Sequence, residues 1–227
     1  MRLRPPEERP TEPPTGYKIA HPVLSHDGGR AGFVGVSLGG ALPYGVVDEA
    51  RCVYGLRHRV PHRRCDCGFH CVHDRAQAEG LLCTAEHRAA VLLEVCVLGA
   101  YIRFERGFRY ARQRVRTMTA GACARSCGAT AAALIEADWG RPGWRALQAT
   151  CAACARGRVS VSLAAFALLA GEGLRVRAGH GAAPVPSGGG VDELAAEAAF
   201  LQARLDWFQT RLARLEERGP TGRDLGS

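Results

Sequence analysis

Ala90-Val-Leu-Leu-Glu-Val-Cys-Val-Leu98, then Gly99, then Tyr101-Ile-Arg-Phe-Glu105: this stretch decides the fold. β-branched and aromatic residues dominate both runs, and they fit a pleated, half-buried surface better than a helix. The glycine between them reads as the bend of one strand or the turn of a hairpin-linked pair. Working upstream, Tyr17-Lys-Ile-Ala, Gly32-Phe-Val-Gly-Val-Ser-Leu and the segment from Val46-Val47 to Val53-Tyr54 are further β-like runs bounded by Gly, Asp and Pro. A strand is also expected at Phe69–Val72. Asp74, with Gln77 three residues on, has the pattern of a helix N-cap, which predicts a short helix to about Leu82. Residues 16–117 are therefore expected to form a small, mainly antiparallel β domain carrying a Cys/His-rich loop.

Downstream the composition shifts to alanine. Ala129-Thr-Ala-Ala-Ala-Leu-Ile-Glu-Ala and, after the Gly140-Arg-Pro-Gly143 turn, Trp144-Arg-Ala-Leu-Gln-Ala-Thr-Cys151 are rich in strong helix formers. Residues 118–177 are accordingly predicted to be a helical, four-cysteine metal-binding domain. Residues 1–15, with five Pro, read as a disordered leader, and residues 178–190, with five Gly and two Pro, as a linker. Over 191–218, Val191, Leu194, Ala198, Leu201, Leu205, Phe208, Leu212 and Leu215 alternate spacings of three and four. That is an amphipathic helix, with two uses open to it: packing on its own domain, or a coiled coil with a second copy or a helical partner. The expected class is α+β: a small antiparallel β domain, a four-cysteine helical domain and a C-terminal amphipathic helix.

The net charge is +8, and 29 of the 30 basic residues are Arg, Lys18 being the only Lys. An Arg-for-Lys bias beside an Ala and Gly excess is what a GC-rich coding sequence produces without selection, so the charge alone is a weak pointer to nucleic acid. Ten Cys are present, yet no apolar segment follows Met1-Arg-Leu-Arg-Pro-Pro, so reduced thiols and a cytoplasmic location are expected. The longest nearly uncharged stretch, Val159–Gly171, is short of the ~20 residues that span a bilayer. P-loop, dinucleotide and HExxH motifs are missing, which removes the commonest nucleotide and metalloprotease chemistries.

Three constellations carry chemistry. Between His58 and His73 lie three Cys and four His, with Cys52 just upstream. Cys65 and Cys67 are closer than the usual C-x2–4-C knuckle, so a metal there recruits Cys52 and either His58 or His62, with His70, Cys71 and His73 in reserve. The second is Cys123-x3-Cys127, 23 residues, then Cys151-x2-Cys154. Two close pairs across a structured spacer suit a tetrahedral site of four thiolates, and on helices each pair would share a face, so that one ion clamps two helices. One or two zinc ions are expected, an iron–sulfur cluster being the alternative for four thiolates. The third interleaves Arg103, Arg106, Arg109, Arg112, Arg114 and Arg116 with Phe104, Phe108 and Tyr110, a surface able to hold phosphates and stack bases.

The run Cys52…Pro61…Cys65-Asp-Cys67-Gly68-Phe69-His70, then Leu93-Glu-Val-x-Val-Leu-Gly99 and Phe104-Glu105-x-Gly107-Phe108-Arg109-Tyr-Ala111, resembles a group of proteins from high-GC bacteria. These carry A-x-C…P…C-x-C-G-[IF]-Y-A followed by V-x-L-x-G-x-V-x-x-H-E-x-G-Y-R-A. The resemblance spans about residues 16–155. It implies one shared scaffold containing Cys52, Cys65, Cys67, Gly68, Glu105, Gly107 and Arg109, and it implies no activity. This chain has His70, Cys71 and Phe104 where the pattern has Tyr, Ala and His, which argues against His70 and Cys71 as essential ligands.

Taken together, the residues predict a zinc-stabilised binding or regulatory module that contacts nucleic acid or a protein partner. The alternative is a metal- or thiol-dependent enzyme using the Cys52/Cys65/Cys67 region, with Glu105 as general base.

Overall fold

A computed structural model describes residues 12–36, 42–84 and 86–179, all within the first of the chain's two units, Met1–Pro184. In chain order the strands are β1 (Thr15–Ser25), β2 (Ala31–Gly35), β3 (Val47–Glu49), β4 (Phe69–Val72), β5 (Val91–Phe104), β6 (Gly107–Ala120), β7 (Ala133–Arg141), β8 (Trp144–Thr150), β9 (Ser160–Ser162) and β10 (Arg175–Ala178). Three short helices, α1 (Arg75–Leu82), α2 (Ala152–Ala155) and α3 (Leu163–Ala170), complete the described elements.

The deciding stretch is one bent strand. In β5 the residues Gly99 and Ala100 face Ala111 of β6 alone, a bulge made possible by the positive φ of Gly99, 70°. β6 then has β5 along one edge and β4, β3 and β10 in succession along the other. The sheet closes on itself. β1 pairs with β5 on one side and β2 on the other, Phe33 of β2 bridges to Tyr44, and β3 returns to β6. Inside this ring pack Phe33, Tyr44, Leu93, Val95, Tyr110, Val115 and Met118. Outside, α1 covers Ile19, Ala90 and Leu92 with Ala78. The first half of β5 is thus buried on both faces, which explains its unbroken apolar run. Asp74 caps α1 as its sequence suggests, Oδ1 accepting from the Ala76 N–H at 2.8 Å.

The α+β expectation is overturned by a predominantly antiparallel β-sheet, and the helical four-cysteine domain at 118–177 is the part that fails. The alanine-rich runs form β7 and β8, a hairpin turned at Gly143, and β8 pairs with β1 so that the segment extends the same sheet. Helix propensity is a weak prior that tertiary contacts override. Here Ala146 and Ala149 are small because they lie against the packed core, not because they propagate a helix. Gly140, read from the sequence as the start of a turn, lies in β7, where a Cβ would strike the Trp144 carbonyl oxygen across the hairpin. The 191–218 helix and nearly all of the 1–15 leader and 178–190 linker lie outside the described residues.

Lys18 projects to the interior side of β1, its ammonium 4.7 Å from the Tyr44 ring centre and 5.0 Å from that of Phe69. Loss of hydration lowers its pKa to about 8, against a smaller upward pull from Cys71. A folded pKa below the unfolded one means that stability rises with pH between the two, from about 8 to 10.5, and is reduced below 8. Replacing Lys18 by Met should therefore raise stability at pH 7 by about 1–3 kcal/mol, and the gap to wild type should close as pH rises to 10.5, as read by urea melts. Gly107→Ala should act oppositely. The added methyl would run into the Cys71 carbonyl oxygen of β4, a backbone clash expected to cost at least about 2 kcal/mol in the same melts.

Candidate metal centres

The segment 50–68 is almost free of regular structure and is bent into a loop by its own backbone bonds. Gly55 N–H donates to the Cys52 carbonyl at 3.1 Å and Cys65 N–H to the His62 carbonyl at 3.0 Å. A cis peptide joins Val60 to Pro61. These turns bring Cys52, His58, Cys65 and Cys67 together, with one ligand atom of each within 4.8 Å of all the others. Cys52 Sγ lies 3.8 Å from Cys65 Sγ, and Cys67 Sγ lies 3.9 Å from either ring nitrogen of His58. For a tetrahedral ion with M–S of about 2.3 Å, the S···S edge is about 3.8 Å. The spacing fits a borderline-soft metal.

Burial separates the ligands. Cys65 and Cys67 are buried, while Cys52 and His58 are partly open. Desolvation pushes the Cys52 thiol up, but the backbone N–H groups of Tyr54 and Leu56 and the Cys65 thiol outweigh it and bring it down to about 7. Burial pushes Cys67 up to about 11, and repulsion from Cys65 and Cys52 adds to this. Thiols crowded this closely repel as anions, and a dication would reverse that penalty. His62 stacks on His58, ring centres 4.7 Å apart, and so supports the ligand instead of being one of the four. Cys71 packs in the barrel core, and His73 is held by the Phe104 carbonyl oxygen at 3.0 Å.

What anchors this loop to the barrel is Arg109. Its side chain is buried; one terminal nitrogen donates to the Cys65 carbonyl and, at 3.4 Å, to Asp66, and the other donates to the His62 carbonyl at 3.2 Å. Gly68, at φ 124°, lets the chain pass beside Arg109, since a Cβ there would lie 3.1 Å from Arg109 Cγ. The predicted role of Arg109 at a nucleic-acid surface is thus replaced by an internal one. Glu105 is exposed at the β5–β6 turn and is not one of the four grouped ligands.

Cys123, Cys127, Cys151 and Cys154 form a second group with sulfurs within 4.8 Å of one another. No pair of helices is clamped. Cys123 and Cys127 lie on a turn after β6, where Ser126 and Gly128 take positive φ, and Cys151 follows β8 directly and caps α2, which carries Cys154. Cys127 is 3.6 Å from Cys151 and 3.9 Å from Cys154, again the edge of a tetrahedron. The Cys154 N–H points at Cys151 Sγ, 3.4 Å away, and holds that thiol below its ordinary pKa. Desolvation opposes ionisation at Cys123, but N–H groups of Cys151 and Arg125 and the Thr150 hydroxyl bring it down to about 6. Hydrogen bonding with Cys151 and Cys127 drives Cys154 up to about 12.

The arginine stretch divides where the β5–β6 pairing shifts register opposite Ala111: before it Phe108 and Tyr110 enter the core and form no stacking platform, and after it Gln113 and Val115 turn inward while Arg112, Arg114 and Arg116 are exposed. Arg103 and Arg106 are exposed near the β5–β6 turn. β10 runs parallel to β6 with Arg175 opposite Thr117 and Arg177 opposite Thr119, which adds two exposed arginines to the same outer face. Sequence reading missed this pair; the signal was the period-2 pattern Arg175-Val-Arg177-Ala178. Among the described residues, one of these five arginines, Arg112, has an acidic partner, Glu49 at 3.8 Å. No described helix is long and apolar enough to cross a membrane.

No family model, curated protein or solved structure matches the chain.

Replacing Arg109 by Met should cost about 3 kcal/mol by leaving the loop carbonyls without their donor, and should lower metal occupancy at the first centre alone. Metal analysis paired with chemical denaturation would check it; equal loss at both centres would contradict the separate roles.

Proposed function

We propose that this chain is a zinc-stabilised β-barrel module that binds nucleic acid through the outer face of β6 and β10. The observation that carries the reading is the row Arg112, Arg114, Arg116 with Arg175 and Arg177 beside it, five guanidiniums on one sheet face. Composition bias can raise the number of arginines, but it does not sort them to one face. Alternate residues on a strand lie about 6.6 Å apart, so Arg112 and Arg114 present charge at that interval to a polyanion, with Arg116 next to them at the register shift opposite Glu94 and Val95. With Phe108 and Tyr110 inside the barrel, binding rests mainly on phosphate contact and is tolerant of sequence.

Zinc suits both donor sets, three cysteines with a histidine in one and four cysteines in the other, and a tetrahedron of four protein ligands is the structural form of that ion. The same completeness weakens the enzyme reading built on Cys52, Cys65 and Cys67. An iron–sulfur cluster fits the second group by donor type, but the sulfur edges of 3.6 and 3.9 Å match a single ion without extension.

Protein purified under reducing conditions should contain two zinc ions per chain, and Cys65→Ser and Cys127→Ser should each remove one by elemental analysis. Metal-free wild type would overturn the zinc assignment. Fluorescence anisotropy with a labelled single strand should show affinity falling with salt at a log–log slope of roughly −3 for four or five phosphate contacts. Arg114→Glu with Arg116→Glu should lower the affinity at least about tenfold and flatten the slope by about 1.4. A salt-independent interaction would rule out the arginine face.

A further inference from the structure

The first centre borders a cleft of about 560 Å³ whose wall includes Cys52 and His58 together with Arg51, Arg59, Arg112 and Glu49. Three guanidiniums meet one carboxylate there, and that carboxylate already pairs with Arg112 at 3.8 Å. Arg51 and Arg59 have no acidic partner among the described residues. Leu56, Val60 and Ala100 add apolar surface to the same lining. A positive excess of two, apolar residues in the lining and a volume in the range of small-molecule sites suit a ligand with a dianionic group on an organic body.

We propose that the cleft binds a nucleotide-sized phosphate monoester and that metal at the first centre builds it. Arg51 is the residue before Cys52 and Arg59 the residue after His58, so each guanidinium is set one residue from a metal ligand. With the ion bound, the otherwise irregular loop carries both arginines to one rim. Without it, only isolated turn bonds, Gly55 N–H to the Cys52 carbonyl and His58 N–H to the Leu56 carbonyl, hold their separation. Arg112 belongs both to this rim and to the outward row of β6, so the cleft lies at one end of the proposed nucleic-acid face. A terminal nucleotide of a strand and a free mononucleotide share the same chemistry here. The proposal rests on the zinc reading of the first centre.

The test is isothermal titration of the full chain, zinc content verified, with adenosine 5′-monophosphate, adenosine and inorganic phosphate at about 50 mM salt, where the electrostatic term is weakly screened. The monophosphate should bind once per chain, with adenosine and inorganic phosphate each at least about tenfold weaker. Arg51→Glu with Arg59→Glu should retain both zinc ions and lose at least about tenfold in monophosphate affinity. Arg114→Glu with Arg116→Glu should keep monophosphate binding while losing the oligonucleotide, so failure of the sheet-face reading registers separately. Cys52→Ser, with β-sheet circular dichroism preserved, should lose the first zinc and the monophosphate together. The proposal is overturned if zinc-loaded wild type ignores the monophosphate, if the Arg51/Arg59 variant binds it unchanged, or if inorganic phosphate binds as tightly. Retained binding in folded, zinc-depleted Cys52→Ser overturns the metal dependence.

Discussion

The buried guanidinium of Arg109 is the interaction on which the loop architecture depends. A charge taken out of water is costly unless its donors are satisfied; the two terminal nitrogens of Arg109 find acceptors in the metal loop, at the carbonyls of Cys65 and His62 and at Asp66, while its buried Nε has no partner among the described residues. The loop must therefore present carbonyls inward at Cys65, and that orientation turns the neighbouring sulfurs toward Cys52 and His58. A ring face from Phe104, 5.6 Å away, covers part of the remaining cation. Barrel and metal loop are folded against each other by one residue: the strand supplies the donor and the loop supplies the acceptors. Gly68 and Gly107 serve the same junction by backbone proximity, Gly68 beside Arg109 and Gly107 beside the Cys71 carbonyl.

The site was more legible than the fold. Ligand chemistry is local and type-specific, so Cys52, His58, Cys65 and Cys67 and the quartet Cys123, Cys127, Cys151 and Cys154 could be nominated from spacing. Strand periodicity made β1, β2, β4 and β5 visible, and an Asp at the N-cap position made α1 visible. The alanine-rich segments misled because alanine reports two different things: low entropy cost in a helix, and small volume in a crowded sheet. Nothing within Ala129–Ala137 distinguishes them; the distinction comes from β8 lying against β1, a contact more than a hundred residues distant in sequence. Arg109 was misassigned for a related reason. It sits on β6 among outward arginines, and only the approach of the Cys/His loop shows that its environment is internal.

The two candidate centres bracket β6. Arg109, near its start, is tied to the first, and Cys123, three residues past its end at Ala120, belongs to the second. A strand is weakest at its ends, where ladder bonds run out and the chain frays. Closing both ends with four-ligand sites removes that freedom where the barrel core cannot, because the loops at 50–68 and 121–132 bury few large side chains of their own. The consequence falls on the middle of the strand. Arg112, Arg114 and Arg116 ride on a backbone held at both ends and hydrogen-bonded along both edges, so their spacing is set before any ligand arrives. Arginines on a loop would have to be ordered on binding, at a cost of about 1–2 kcal/mol per residue of backbone; on β6 that cost has been met by folding. Metal sites remote from the basic face can in this way contribute to what it binds without touching it.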